Sequence, residues 1–162
     1  MEMLLVAAEK AGSLLRTRRE TVAVAESSAG GLISASLLAL SGASAYFMAG
    51  GVVYTKTARE SVAGITDAQM VGLRSSSEPY AALLARSMRE RNGTVWGLAE
   101  TGAAGPTGNR YGDAAGHTCI AISGPVEHVL TLETGDADRL RNMHAFAQKA
   151  LEEFAAAIAR AG

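Results

Sequence analysis

Residues 21–40 read TVAVAESSAGGLISASLLAL. The run 21–25 is a short β-branched and alanine stretch suited to a buried strand. Glu26, Ser27, Ser28, Ala29, Gly30 and Gly31 break it with turn-forming residues, and 32–40 resume a helical composition. A strand that passes through a tight polar turn into a helix is the building unit of α/β folds, where ligands bind beyond the carboxyl ends of the strands. At a helix N-terminus, such a turn offers backbone N–H groups and two hydroxyls to a phosphate, a carboxylate or a developing oxyanion. It is neither a P-loop nor a Gly-x-Gly-x-x-Gly dinucleotide turn. The alternative reading is a capped turn whose glycines serve conformation only.

A second stretch repeats the chemistry. Residues 94–99 form another apolar strand, which runs into Thr101, Gly102, Ala103, Ala104, Gly105, Pro106, Thr107 and Gly108 and then into an irregular loop to Gly116. Both polar segments follow strands directly, so both are expected on one edge of the sheet, building a single small-molecule site. Outward from these, Leu4, Ala8, Ala11 and Leu15 stripe an opening helix over 3–18. Residues 45–54, interrupted by Gly50 and Gly51, read as a strand with a bend or bulge. Short helices are expected over 56–63 and 67–73, and a longer one begins at Ser77-Glu78-Pro79 and runs to Arg91. Residues 117–123 and 126–133 alternate as a hairpin about Gly124-Pro125, and Leu140, Met143, Ala147, Leu151, Phe154 and Ile158 stripe a closing helix. The fold class is therefore α/β: a three-layer α/β/α sandwich with a mixed, mostly parallel sheet and a C-terminal hairpin.

The 162 residues fit one domain. The single cysteine, Cys119, excludes an internal disulfide and implies a reducing, cytoplasmic setting, and three scattered histidines give no metal-ligand spacing. No apolar run reaches the roughly 20 residues that span a bilayer, so neither a leader nor a membrane partner is expected. Fifteen Lys and Arg against 16 Asp and Glu leave a net charge of −1, which argues against a nucleic-acid partner. Tyr54 at a strand end, with Lys56 and Arg59 beyond it, can bring a phenol and cations to the edge. Arg141 lies in the first turn of the last helix, where the dipole does not favour a cation, and so suggests an anionic ligand; Arg110 in the loop is a weaker candidate. His117 borders the loop, whereas His128 and His144 read as structural.

The segments 25–31, 50–54, Ser77-Glu78, 101–106 and 135–141 resemble, in order and spacing, the CinA C-terminal domain family of nicotinamide mononucleotide amidohydrolases. The resemblance covers residues 3–160. It implies hydrolysis of the carboxamide of nicotinamide mononucleotide to nicotinate mononucleotide and ammonia, without metal or cofactor, in pyridine-nucleotide recycling. It also implies a homo-oligomer, and a single domain over 1–162 without the pyrophosphatase domain of longer relatives. Carried over by position, Ser27 is the nucleophile, Tyr54 a proton-transfer or orienting group, and Thr101 a ligand-binding element with Gly102 and Gly105. Arg141 binds substrate, and Glu26, Ser28, Gly30 and Gly31 belong to the same binding turn. The family's Cys-Thr in the first motif is Ser28-Ala29 here. Its lysine five residues after the tyrosine, the general base, is Arg59, which stays protonated; Lys56 is the nearest substitute. Two readings follow: a working amidohydrolase, or a mononucleotide-binding relative with impaired catalysis.

Overall fold

The computed structural model describes residues 1–162. Its elements run α1 (Glu2–Arg18), β1 (Val22–Glu26), α2 (Leu32–Leu38), β2 (Phe47–Val52), α3 (Lys56–Ser61), α4 (Glu78–Asn92), β3 (Trp96–Ala103), β4 (His117–Ser123), β5 (His128–Glu133) and α5 (Arg139–Ala161). The five strands form one sheet in the order β2-β1-β3-β4-β5. β1 is parallel to both β2 and β3, while β3–β4 and β4–β5 are antiparallel. The expected hairpin is β4–β5 and the expected closing helix is α5, while the sheet is mixed with two parallel and two antiparallel pairings rather than mostly parallel.

Side-chain size decides how each face is covered. Val22 and Val24 of β1, Trp96 and Leu98 of β3, and Ile120 and Ile122 of β4 point to the face packed by α1, α2 and α5. Their alternating neighbours, Ala23 and Ala25, Ala99, and Cys119 and Ala121, point to the other face, against Tyr80, Ala81, Leu84, Ala85 and Met88 of α4. Large residues on one side make room for three helices, and small ones on the other let one helix come close. Gly97 shows the limit, because a Cβ there would overlap the Ala85 carbonyl of α4. α4 itself is fixed at both ends: the Ser77 hydroxyl accepts the Tyr80 N–H at its start, and Gly93, at φ 61°, ends it in the left-handed conformation.

Two local expectations need correction. Residues 67–73 do not form a helix, only a single 3₁₀ turn at Ala68–Met70. The Thr66 N–H donates to the Gln69 side chain and the Gln69 N–H to the Thr66 hydroxyl, a local alternative to helical bonding, and Gly72 at φ 79° turns the chain away. The irregularity of the β1–β2 pairing lies between Val22 and Ala23, opposite Phe47 and Ala49, not at Gly50-Gly51, which pair regularly with Val24 and Ala25. Gly50 is instead tightly packed, since a Cβ there would sit 2.6 Å from the Ser34 hydroxyl of α2 and 2.7 Å from the Phe47 ring, and both side chains would have to shift.

Gly97→Ala is expected to lower unfolding free energy by about 1–3 kcal/mol, by forcing α4 off the sheet. Urea denaturation followed by circular dichroism measures it; an unchanged midpoint would show that the helix can move away without cost.

Candidate active-site cleft

Because β1, β2 and β3 run in parallel, their ends at Glu26, Val52 and Ala103 share one edge of the sheet. Two buried carboxylates shape that edge. Glu26, at the end of β1, accepts the N–H groups of Gly31 (2.9 Å), Ile33 (3.0 Å) and Ser34 (2.8 Å) and so caps α2 from within. Glu100, in β3, accepts the N–H groups of Ser27 (3.0 Å) and Ala29 (2.9 Å) and the hydroxyls of Ser28 (2.5 Å) and Thr118 (2.7 Å). Burial pushes the Glu100 carboxyl above its ordinary range, and the four donors oppose that shift.

These bonds correct one expectation from the sequence. Most N–H groups of the 26–34 turn are not free for a ligand: the two carboxylates take those of Ser27, Ala29, Gly31, Ile33 and Ser34, the Ser27 and Ala29 carbonyls take those of Gly30 and Leu32, and only the Ser28 N–H has no partner within the chain. Glu26, the Ser28 hydroxyl and the Gly31 N–H are thereby engaged in the scaffold. Gly30 is exposed, and a Cβ there would meet the Met143 side chain of α5 at 2.6 Å.

What the turn does present is Ser27. Its N–H is held by Glu100 while its hydroxyl faces a cleft of about 380 Å³. Tyr54, Lys56, Arg59, Thr101, Gly102 and Arg110 line the same cleft, so seven of the residues singled out in the sequence come together. Three cations contribute to the lining and no carboxylate does. A second hollow of about 350 Å³ continues from it, shares Lys56, Arg59 and Arg110, and is bordered by Asp67 and Arg74. Asp67 pairs with Lys56 (3.1 Å) and Arg59 (2.7 Å) from behind. The Arg59 side chain is only 12% exposed, and its buried Nε has no partner.

The wall opposite Ser27 contains residues that the sequence did not reveal. Ser76 lines the cleft in a left-handed conformation, at φ 57°, and donates its N–H to the Thr101 hydroxyl (3.2 Å). Its carbonyl accepts from His117 Nε2 (2.8 Å), and His117 Nδ1 bonds Glu133 (2.5 Å). With an acceptor at each ring nitrogen, the surroundings favour the protonated ring. Burial opposes that charge, but the bonds to Glu133 and the Ser76 carbonyl, with Asp113 nearby, outweigh it and raise the pKa. Tyr80 closes the floor, its phenol pushed up to about 12 by burial against an opposing Arg59. Arg74 grips Asp113 through two nitrogens (2.7 and 3.1 Å), tying the 105–116 loop to the start of α4 and holding the Asp113 carboxyl below its ordinary range. Arg74 and Arg110 both lie over the Tyr111 ring, at 5.2 and 5.1 Å. The only signals for this wall in the sequence are a serine run before α4 and one histidine at a strand start.

Arg141 does not line the cleft. It is 70% exposed and bonded to Asp136 at 2.7 and 3.0 Å, with Asp138 at 3.4 Å, and its bonds to Asp136, with the Asp138 N–H, hold the Asp136 carboxyl down at about 2. The anionic partner suggested by its position on the helix is thus supplied by the chain. Gly105 is buried, and its carbonyl accepts from Arg139. No group of three or more His, Cys, Asp or Glu side chains is placed to hold a metal, and no helix is long and apolar enough to cross a membrane. The largest hollow, about 1060 Å³ between α1 and α5, is lined by Leu5, Val6, Leu14 and Ala155 among others. Its polar lining is Glu9, Lys10, Ser13 and Glu152, and it lies away from the strand ends.

Because the folded His117 pKa is raised, its contribution to stability is complete below the unfolded value of about 6.5 and is lost as pH rises through the folded value. Thermal midpoints from pH 5.5 to 9 are expected to fall across that window in the native chain and to lose that part of the slope in His117→Asn. Parallel curves for the two proteins would refute the assignment.

The CinA C-terminal domain family model matches residues 5–158. The CinA-like protein of Anaeromyxobacter dehalogenans (strain 2CP-C) is 37% identical over 134 residues, which are 82% of this chain and 33% of that protein. The CinA-like protein of Salinibacter ruber is 36% identical over 142 residues, 88% of this chain and 34% of that one. The chain therefore spans about a third of the length of these relatives. Among solved structures, the competence/damage inducible protein CihA from Agrobacterium tumefaciens superposes with a TM-score of 0.85 at 27% identity, covering 95% of this chain and 94% of that one. The competence or damage-inducible protein from Enterobacter asburiae gives 0.88 at 25%, covering 96% and 98%.

Proposed function

Given that the chain belongs to the CinA C-terminal domain family, we propose that its cleft binds nicotinamide mononucleotide and hydrolyses the carboxamide to nicotinate mononucleotide and ammonia. The observation that carries this reading is the lining itself: an unbonded serine hydroxyl beside three cations and no carboxylate. An anionic substrate suits that charge, and Arg59 and Arg110 are the donors best matched to a phosphate. Ser27 Oγ attacks the amide carbon, ammonia leaves with a proton, and water then hydrolyses the nicotinoyl ester to regenerate the serine. The Tyr54 hydroxyl serves as hydrogen-bond donor to the carboxamide, and Lys56 takes the serine proton, since Arg59 cannot.

One observation favours a second reading, binding without turnover. Arg59 stands where the family has its lysine, and Lys56 is 64% exposed and engaged by Asp67. Ammonia release from nicotinamide mononucleotide, measured beside nicotinamide riboside, separates the two. The first reading expects phosphate-dependent release that falls by roughly a thousandfold or more in Ser27→Ala. Saturable binding with no ammonia at high protein concentration selects the second. In either case Arg110→Gln is expected to weaken the mononucleotide by about tenfold and to leave the riboside nearly unchanged. Equal losses for both ligands would remove the phosphate from that end of the cleft.

A further inference from the structure

Arg139 opens α5 directly after its Asp138 N-cap, a position where the helix terminus disfavours a cation. Its guanidinium leaves the helix and makes two bonds elsewhere. Nη1 donates to the Gly105 carbonyl at 2.5 Å, and Nη2 donates to the Tyr54 hydroxyl at 3.1 Å. Gly105 belongs to the loop after β3, and Tyr54 to the connection between β2 and α3. One side chain therefore ties three segments together at the edge where the cleft opens. Tyr54 needs such a tie, because it is 60% exposed and Arg139 is its hydroxyl's only partner within the chain.

The chemistry of the bond sets its polarity. A guanidinium only donates, so the Tyr54 oxygen accepts, and the phenol's own proton is not used in this contact. We propose that Arg139 is a positioning residue of the site: it holds the Tyr54 ring at the cleft and leaves the phenolic proton free to be donated to the substrate's carboxamide. This rests on the amidohydrolase reading for the identity of the acceptor, but the Arg139–Tyr54 bond does not. Arg141, two residues on, cannot take this part, because Asp136 and Asp138 hold it at the surface.

The test is a double-mutant cycle of Arg139→Gln and Tyr54→Phe, with Arg139→Lys as the conservative variant and circular dichroism to establish folding. In ammonia release, Arg139→Gln is expected to lower kcat by about tenfold or more with KM within about threefold, and Arg139→Lys to recover part of the loss. In the Tyr54→Phe background the same change is expected to cost less than about twofold. An equal loss in both backgrounds, or a loss confined to KM, overturns the proposal. A second measurement needs neither turnover nor ligand. In protein carrying ¹³C-labelled tyrosine, the Tyr54 ring signal, assigned by its disappearance in Tyr54→Phe, is expected to move in Arg139→Gln. A folded Arg139→Gln protein with an unmoved Tyr54 signal overturns the positioning role. A moved signal without any ammonia release keeps that role and removes the amidase reading instead.

Discussion

Glu100 reaches a wholly buried position beside the turn that follows β1 and there gathers two backbone N–H groups and two hydroxyls. An unpaired buried carboxylate would be strongly destabilising, so the four donors and the acid require one another. Glu26 does the same from the neighbouring strand for three N–H groups at the start of α2. Together they fix the backbone from Glu26 to Ser34, and the conformation they impose leaves the Ser27 hydroxyl facing the cleft. Most of the N–H groups that such a turn ordinarily offers to an anion have been used in building it, and that of Ser28 alone has no partner within the chain.

The positive charge of the cleft comes from other segments. Lys56 and Arg59 on α3 and Arg110 in the loop after β3 supply the positive charge, while the carboxylate that balances the first two, Asp67, sits behind them in the neighbouring hollow. A guanidinium such as that of Arg59, which is mostly buried and cannot deprotonate, is a permanent charge with a planar donor fork, suited to a phosphate and unsuited to a proton relay.

The rear wall shows how the loop that carries Arg110 is kept in place. Arg74 holds Asp113, His117 lies 3.6 Å from Asp113, and His117 in turn holds the Ser76 carbonyl. This chain of charged bonds links the start of α4, the 105–116 loop and the β4–β5 hairpin, and it supports the strained Ser76 beside Thr101.

The order of strands and helices, the parallel start of the sheet and the gathering of Ser27, Tyr54, Lys56, Arg59, Thr101, Gly102 and Arg110 at one edge were legible in the sequence. Period and turn chemistry are local properties, and parallel strands bring their ends to the same side. The pairing of each polar group was not legible. Glu100 meets the Ser28 hydroxyl 72 residues away and Arg139 meets Tyr54 across 85, and no local pattern distinguishes a free N–H from one that a distant carboxylate will occupy. Arg139 and Arg141 look alike as cations in the first turn of a helix. Only the placement of Gly105 and Tyr54 beside one, and of Asp136 beside the other, decides which belongs to the site, because hydrogen bonds act over a few ångströms whatever the separation along the chain.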